Sequence, residues 1–208
     1  MRSRFTVDEI ASAALTIVDA SGPAALSMRS LATALGTGPM TMYNYVAGKE
    51  ALEELVVSAV VAEITVPTPT GDWQRDVHTI ATAMWRGVRA HPAAIPLVLV
   101  RRMSSATGFA IADALVGALG RAGLSGVDHL SAFHAVMALV IGSAQAELAG
   151  PLTGGAPEAA AQIGSVAGTD YRHIEALSRV ASRTSVAEDF DGGLRMLIDG
   201  IAMRCRER

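Results

Sequence analysis

Apolar residues recur along this chain three and four positions apart, and nowhere do they alternate singly as a half-buried strand requires. Thr6 followed by Glu9 has the form of a capping box, and Ile10, Ala13, Ala14, Ile17 and Val18 then mark one face of a first helix. Gly22-Pro23 stops it. Ser27 is placed to cap a short second helix that closes at Gly36. Thr37-Gly38-Pro39 reads as a turn, and residues 40–46 as another short helix. After Gly48, the stripe Leu52, Leu55, Val56, Ala59 and Val60 predicts a fourth.

Pro67-Thr-Pro69-Thr-Gly71 is the clearest break in the pattern and separates an expected domain over 1–66 from one over 67–208. Asp72 can cap a fifth helix with the stripe Val77, Ile80, Ala81, Met84 and Val88, ending near His91-Pro92. Short apolar helices are expected over 93–103 and 107–122. A long one follows Ser125, carrying Leu130, Phe133, Met137, Ile141, Ala144 and Leu148. Residues 150–169 are rich in Gly, Pro and Ala and read as a loop with a single helical turn near 158–162. A modest helix over 170–180 follows. Then Ser185 and Glu188 form a second capping box before Phe190, Leu194, Leu197, Ile198 and Ile201. The expected class is all-α.

Composition changes this picture in three ways. Half the residues are apolar and only 18% charged, more than one monomer's core needs, which points to surface buried in a partner or around a ligand. The net charge of −3 means that any attraction for nucleic acid must be local. The single Cys205 offers neither disulfide nor metal cluster, no stretch has the form of a signal peptide, and the run 95–100 is too short to span a bilayer. A cytoplasmic protein without metal or cofactor is expected. His78, His91, His129, His134 and His173 lack the i, i+4 spacing of metal ligands, and Asp113 and Glu147 have no evident partner carboxylate, so no enzyme is expected.

The segment 27–46 meets the requirements of a helix-turn-helix. Ala32 is small where a second helix would cross, Gly36 suits a left-handed turn four residues on, and Leu31, Leu35, Met42 and Val46 can hold the pair together. The run Ala25-Leu-Ser-Met-Arg-Ser-Leu-Ala-Thr-Ala-Leu-Gly, then Thr41-Met-Tyr-Asn-Tyr-Val, then Lys49-Glu-Ala-Leu, resembles the DNA-binding domain of the tetracycline-repressor family. The last part, Phe190-Asp-Gly-Gly-Leu-Arg-Met-Leu-Ile-Asp-Gly, is also similar to that family. Thr37 stands where an aliphatic residue is usual, Gly38-Pro39 makes the turn small, and Asn44 replaces a common aromatic. These departures bear on which bases are read.

The resemblance implies a three-helix DNA-binding domain joined by a fourth helix to a ligand-binding and dimerisation domain. It also implies a homodimeric repressor, released from a palindromic operator on double-stranded DNA by a small hydrophobic effector. A helical ligand-binding or scaffold protein that has lost DNA binding is the alternative. Residues 20–48 contain no acid, while Arg29 and Lys49 are basic, so the expected DNA face is cationic or neutral. Tyr43, Tyr45 and Thr41 offer hydroxyls and Lys49 a charge for phosphates. Arg29 suits guanine and Asn44 adenine. Ser27 and Met40 complete the set, and Arg2 and Arg4 form an arm that can reach the backbone or minor groove. For the effector chamber the expected lining is Met84, Trp85, Met103, Phe109 and Met137, with Arg89, Arg102, His134 and Gln145 as polar anchors. The helices over 126–149 and 186–203 are expected to pair across a two-fold axis as a four-helix bundle, with Gly192, Gly193 and Gly200 permitting close approach.

Overall fold

The computed structural model describes residues 4–101, 106–149, 157–167 and 170–206. Among these, every regular element is helical. Their contacts divide into two compact units, one of residues 1–69 with 83–117 and one of residues 70–82 with 118–208.

In the first unit, α1 (Val7–Ser21) starts on the expected capping box: Thr6 Oγ1 accepts from the Glu9 N–H, and the Glu9 carboxylate accepts from the Thr6 N–H. It ends at Gly22, whose φ of 76° only glycine adopts cheaply. The buried face is Ile10, Ala11, Ala14, Leu15 and Val18, rotated slightly from the stripe expected, so that Ala13 and Ile17 sit at its margin. α2 (Met28–Ala34), α3 (Pro39–Met42) and α4 (Lys49–Ala62) follow, and α1 packs along α4. Leu31, Met42, Val46, Leu52, Val56, Val57 and Val60 close this core. The unit also takes in the end of α5 (Trp73–Ala90), a 3-10 turn Pro92–Ala94, α6 (Ile95–Arg101), which packs on α4, and most of α7 (Ala106–Arg121).

In the second unit, the start of α5 is pinned through Asp76. Its carboxylate accepts from Thr70 Oγ1 (2.7 Å) and the Thr70 N–H (2.8 Å) and meets the Arg121 guanidinium. These bonds, those from Thr70 first, hold its pKa down at about 2 despite burial. α8 (Gly126–Ala149) buries Ala132, Val136, Met137, Val140, Ile141 and Ala144 but leaves Leu130 exposed and Phe133 half-exposed.

Within the stretch 150–169, expected as a loop with one helical turn near 158–162, the helix α9 spans Pro157–Ala167. Its Ala-rich sequence has strong helix propensity, and Gly164 serves close packing: a Cβ there would lie 2.6 Å from Ser178 Oγ on α10 (Arg172–Ala181). Residues 150–156 lie outside those described. α11 (Val186–Arg206) begins on the expected capping box, with Ser185 N–H and Oγ both donating to Glu188. It buries Phe190, Leu194, Ile198 and Ile201 and packs on α8.

Candidate nucleic-acid interface

α2 and α3 are built as the sequence requires. Ser27 caps α2, its hydroxyl accepting from the Ser30 N–H at 3.1 Å. At the other end Gly36 takes φ 62°, with the Gly36 N–H on Thr33 O and the Thr37 N–H on Ala32 O. That is the paired hydrogen bonding of a left-handed helix stop, and Thr37 fits it without strain. Ala32 is 1% exposed, and α2 packs against α3. α3 is shorter than the expected 40–46 helix: after Met42 the chain continues in tight turns, with Asn44 N–H on Thr41 O and Tyr45 N–H on Met42 O.

This geometry buries Met42 and Val46 inward and leaves Met40 (77%), Tyr43 (55%), Asn44 and Arg29 on the outer surface. Thr41 is half-buried. Lys49 is strongly exposed, its ammonium 3.9 Å from Glu53 one turn along α4, a spacing whose attraction water largely screens. Ser27 remains exposed, although its hydroxyl is engaged in the cap. With no acid between residues 20 and 48, α2, α3 and the turns around them bring no carboxylate to this surface.

Arg4 and Tyr45 are joined. The Arg4 N–H donates to the Tyr45 hydroxyl at 3.1 Å, and its guanidinium reaches the Gly36 carbonyl at 3.5 Å and lies over the Phe5 ring. Phe5 meets Tyr45 edge-on at 6.0 Å. The arm therefore supports the outer face of the helix-turn-helix, a role for Phe5 absent from the sequence reading. An aromatic residue beside a basic one, ahead of a capping box, was the available signal.

The expected chamber residues fall in both units. In the first, Met84 and Trp85 are buried, Arg89 is exposed with its guanidinium 5.2 Å from the Trp85 ring centre, and Phe109 is 54% exposed. In the second, Met137 is buried, while His134 and Gln145 are exposed on α8. Arg102 and Met103 lie outside the described residues. The second unit also has a groove of about 380 Å³ between α10 and α11, walled by Leu177, Val180, Thr184, Gly192 and Met196 and including none of the expected chamber residues.

Residues 66–205 match the family described as tetracyclin repressor-like, C-terminal domain. The chain belongs to the tetracycline-repressor family. It is 34% identical over 144 residues to an HTH-type transcriptional regulator of Saccharopolyspora erythraea, covering 69% of this chain and 61% of that one. It is 30% identical over 146 residues to the HTH-type transcriptional repressor DrrR1 of Streptomyces coeruleorubidus, covering 69% of this chain and 54% of the repressor. The matches thus span less than two thirds of either relative. The fold is similar to apo ActR of Streptomyces coelicolor at TM-score 0.83 and 26% identity, over 100% of this chain and 99% of that one. ActR in complex with actinorhodin is similar at TM-score 0.81 and 26% identity, over 97% of this chain and 98% of that one.

Proposed function

We propose that this chain is a ligand-responsive transcriptional repressor that binds a palindromic DNA operator as a homodimer in the cytoplasm, and that it is not an enzyme. The observation that carries the reading is the acid-free segment of α2 and α3, where Arg29, Tyr43 and Asn44 stand exposed, with Lys49 exposed at the start of α4. Such a surface suits the two parts of DNA recognition. Hydroxyls and the ammonium hold phosphates and set register, while Arg29 and Asn44 can each make paired bonds to a base edge. Residues 1–66 would read DNA, and residues 67–208 would bind the effector and the second copy. The match to the family's C-terminal domain from residue 66 onward supports that division.

The exposed apolar side chains of the second unit support pairing. Val127 and Leu130 on α8, and Met196 and Met203 on α11, are all more than half exposed in a single copy. The segment Gly126–Ala146 is long and apolar enough by composition to cross a bilayer, and a helix destined for a bundle between subunits has the same composition. The effector would be mainly hydrophobic with a polar or anionic group, and the buried Met84 and Trp85 of the first unit are candidates to hold it. ActR, a structural relative, has been solved with actinorhodin. The effector would act by favouring an arrangement in which the two recognition helices no longer sit roughly 34–36 Å apart, one DNA turn.

Selection from random duplex DNA tests the reading directly. A palindromic consensus with half-sites one turn apart is expected. Salt-sensitive binding with no consensus, or no binding, would overturn it in favour of a helical ligand-binding or scaffold protein.

A further inference from the structure

Three helices of the first unit end close together, and a histidine stands between them. His91 follows directly on α5, Asp19 lies in the last turn of α1, and Glu63 immediately follows α4. His91 Nδ1 is 2.8 Å from Asp19 Oδ2, and Nε2 is 2.9 Å from Glu63 Oε2. The ring is only 12% exposed.

A neutral imidazole has one N–H and can donate to only one of two ionised carboxylates. Satisfying both, as the geometry here requires, takes the imidazolium. The helix ends reinforce this, since α1, α4 and α5 all present their C-terminal, electronegative poles near the ring. Among the described residues, no basic side chain acts on the ring's protonation. Residues 95–100, the part of α6 beyond the corner, are wholly apolar, and the nearest basic residue along α5, Arg89, stacks its guanidinium on Trp85. The other acids of α1 and α4 (Asp8, Glu9, Glu50, Glu53 and Glu54) are on the first two turns of those helices, at their far ends.

We propose that His91 is a proton-operated clasp, which as the imidazolium ties the ends of α1 and α4 to the corner after α5 and on losing its proton releases one of them. Burial opposes the charge, but the bonds to Glu63 and Asp19 outweigh it, so the ring's pKa is raised above its ordinary 6.5. For a raised pKa, the stabilisation is fully present below 6.5 and is lost as pH rises through the folded value. The clasp thus opens above the ordinary imidazole value. α1 packs on α4 and on α2, and α2 on α3, so a closed clasp presents a DNA-reading surface already organised, and an open one must organise it on binding. This last step rests on the DNA-binding reading above; the clasp itself does not.

The test follows the two ring nitrogens of His91 by NMR in the full chain across pH. Both should remain protonated past pH 6.5, and Asp19→Asn and Glu63→Gln should each lower the midpoint. A midpoint at or below 6.5, or one that neither variant moves, overturns the clasp. Operator affinity is then compared between about pH 6 and about pH 8.5. Wild type should weaken roughly threefold more than His91→Gln over that interval. An equal loss in both overturns the link to DNA, and Glu63→Gln serves as the second comparison should His91→Gln not fold. If neither protein binds DNA at any pH, the proposed function fails while the NMR midpoint still decides the clasp.

Discussion

Lys49 and Tyr43 offer a point charge and a hydroxyl on the surface that carries the acid-free segment, and neither is part of the core. Lys49→Ala should therefore weaken binding to every DNA sequence and flatten the dependence of log affinity on log salt by about one unit. Tyr43→Phe should weaken binding without changing that slope. Salt titrations of both variants check this, and an unchanged slope in Lys49→Ala removes it from the phosphate contacts. Arg29 is tested by selectivity instead. If it reads guanine, Arg29→Ala costs roughly 1–3 kcal/mol and relaxes choice at one position in each half-site. A uniform loss over all sequences would make it a phosphate ligand. These outer residues were legible because the helix-turn-helix constrains its own spacing. Phe5 and His91 were not, since their partners lie 40, 72 and 28 residues away.

Capping boxes at Thr6 and Ser185 and the glycine stop at Gly36 placed the helix ends they govern, because those signals act within a few residues. Gly164 was misleading for the same reason. Read locally it breaks a helix, whereas its value here is the space it leaves for Ser178 across two helices. Gly87 makes the same point on α5, where a Cβ would meet Ile64 Cγ1 and must displace it. Gly87→Ala gains about 1 kcal/mol of helix propensity but costs about 1–3 kcal/mol of overpacking. Net destabilisation is the expected result of chemical denaturation, and a stabilised variant would mean that Ile64 moves aside freely. The stripes on α1 and α8 were each displaced around the helix, since periodicity gives the existence of a buried face more firmly than its centre.

Subunit pairing is tested at the scale of the whole molecule, where a variant must block association without harming the fold. Met196 is suited to this, being 77% exposed on α11 while Leu194 and Ile198 beside it are buried. Met196→Arg should give folded monomers by light scattering and abolish operator binding; a dimer would place the interface on another face. Trp85 reports on the effector. It is 3% exposed, and if it lines the chamber its fluorescence should respond to a ligand that releases the protein from DNA, with Trp85→Ala binding that ligand more weakly. Equal binding by both would put the chamber elsewhere. Lys49 carries a different consequence, because it is the sole lysine of the chain and lies strongly exposed at the head of α4. A reagent selective for lysine side chains has a single target on each subunit, and if Lys49 holds a phosphate, the yield of that one adduct should fall as DNA occupies the protein.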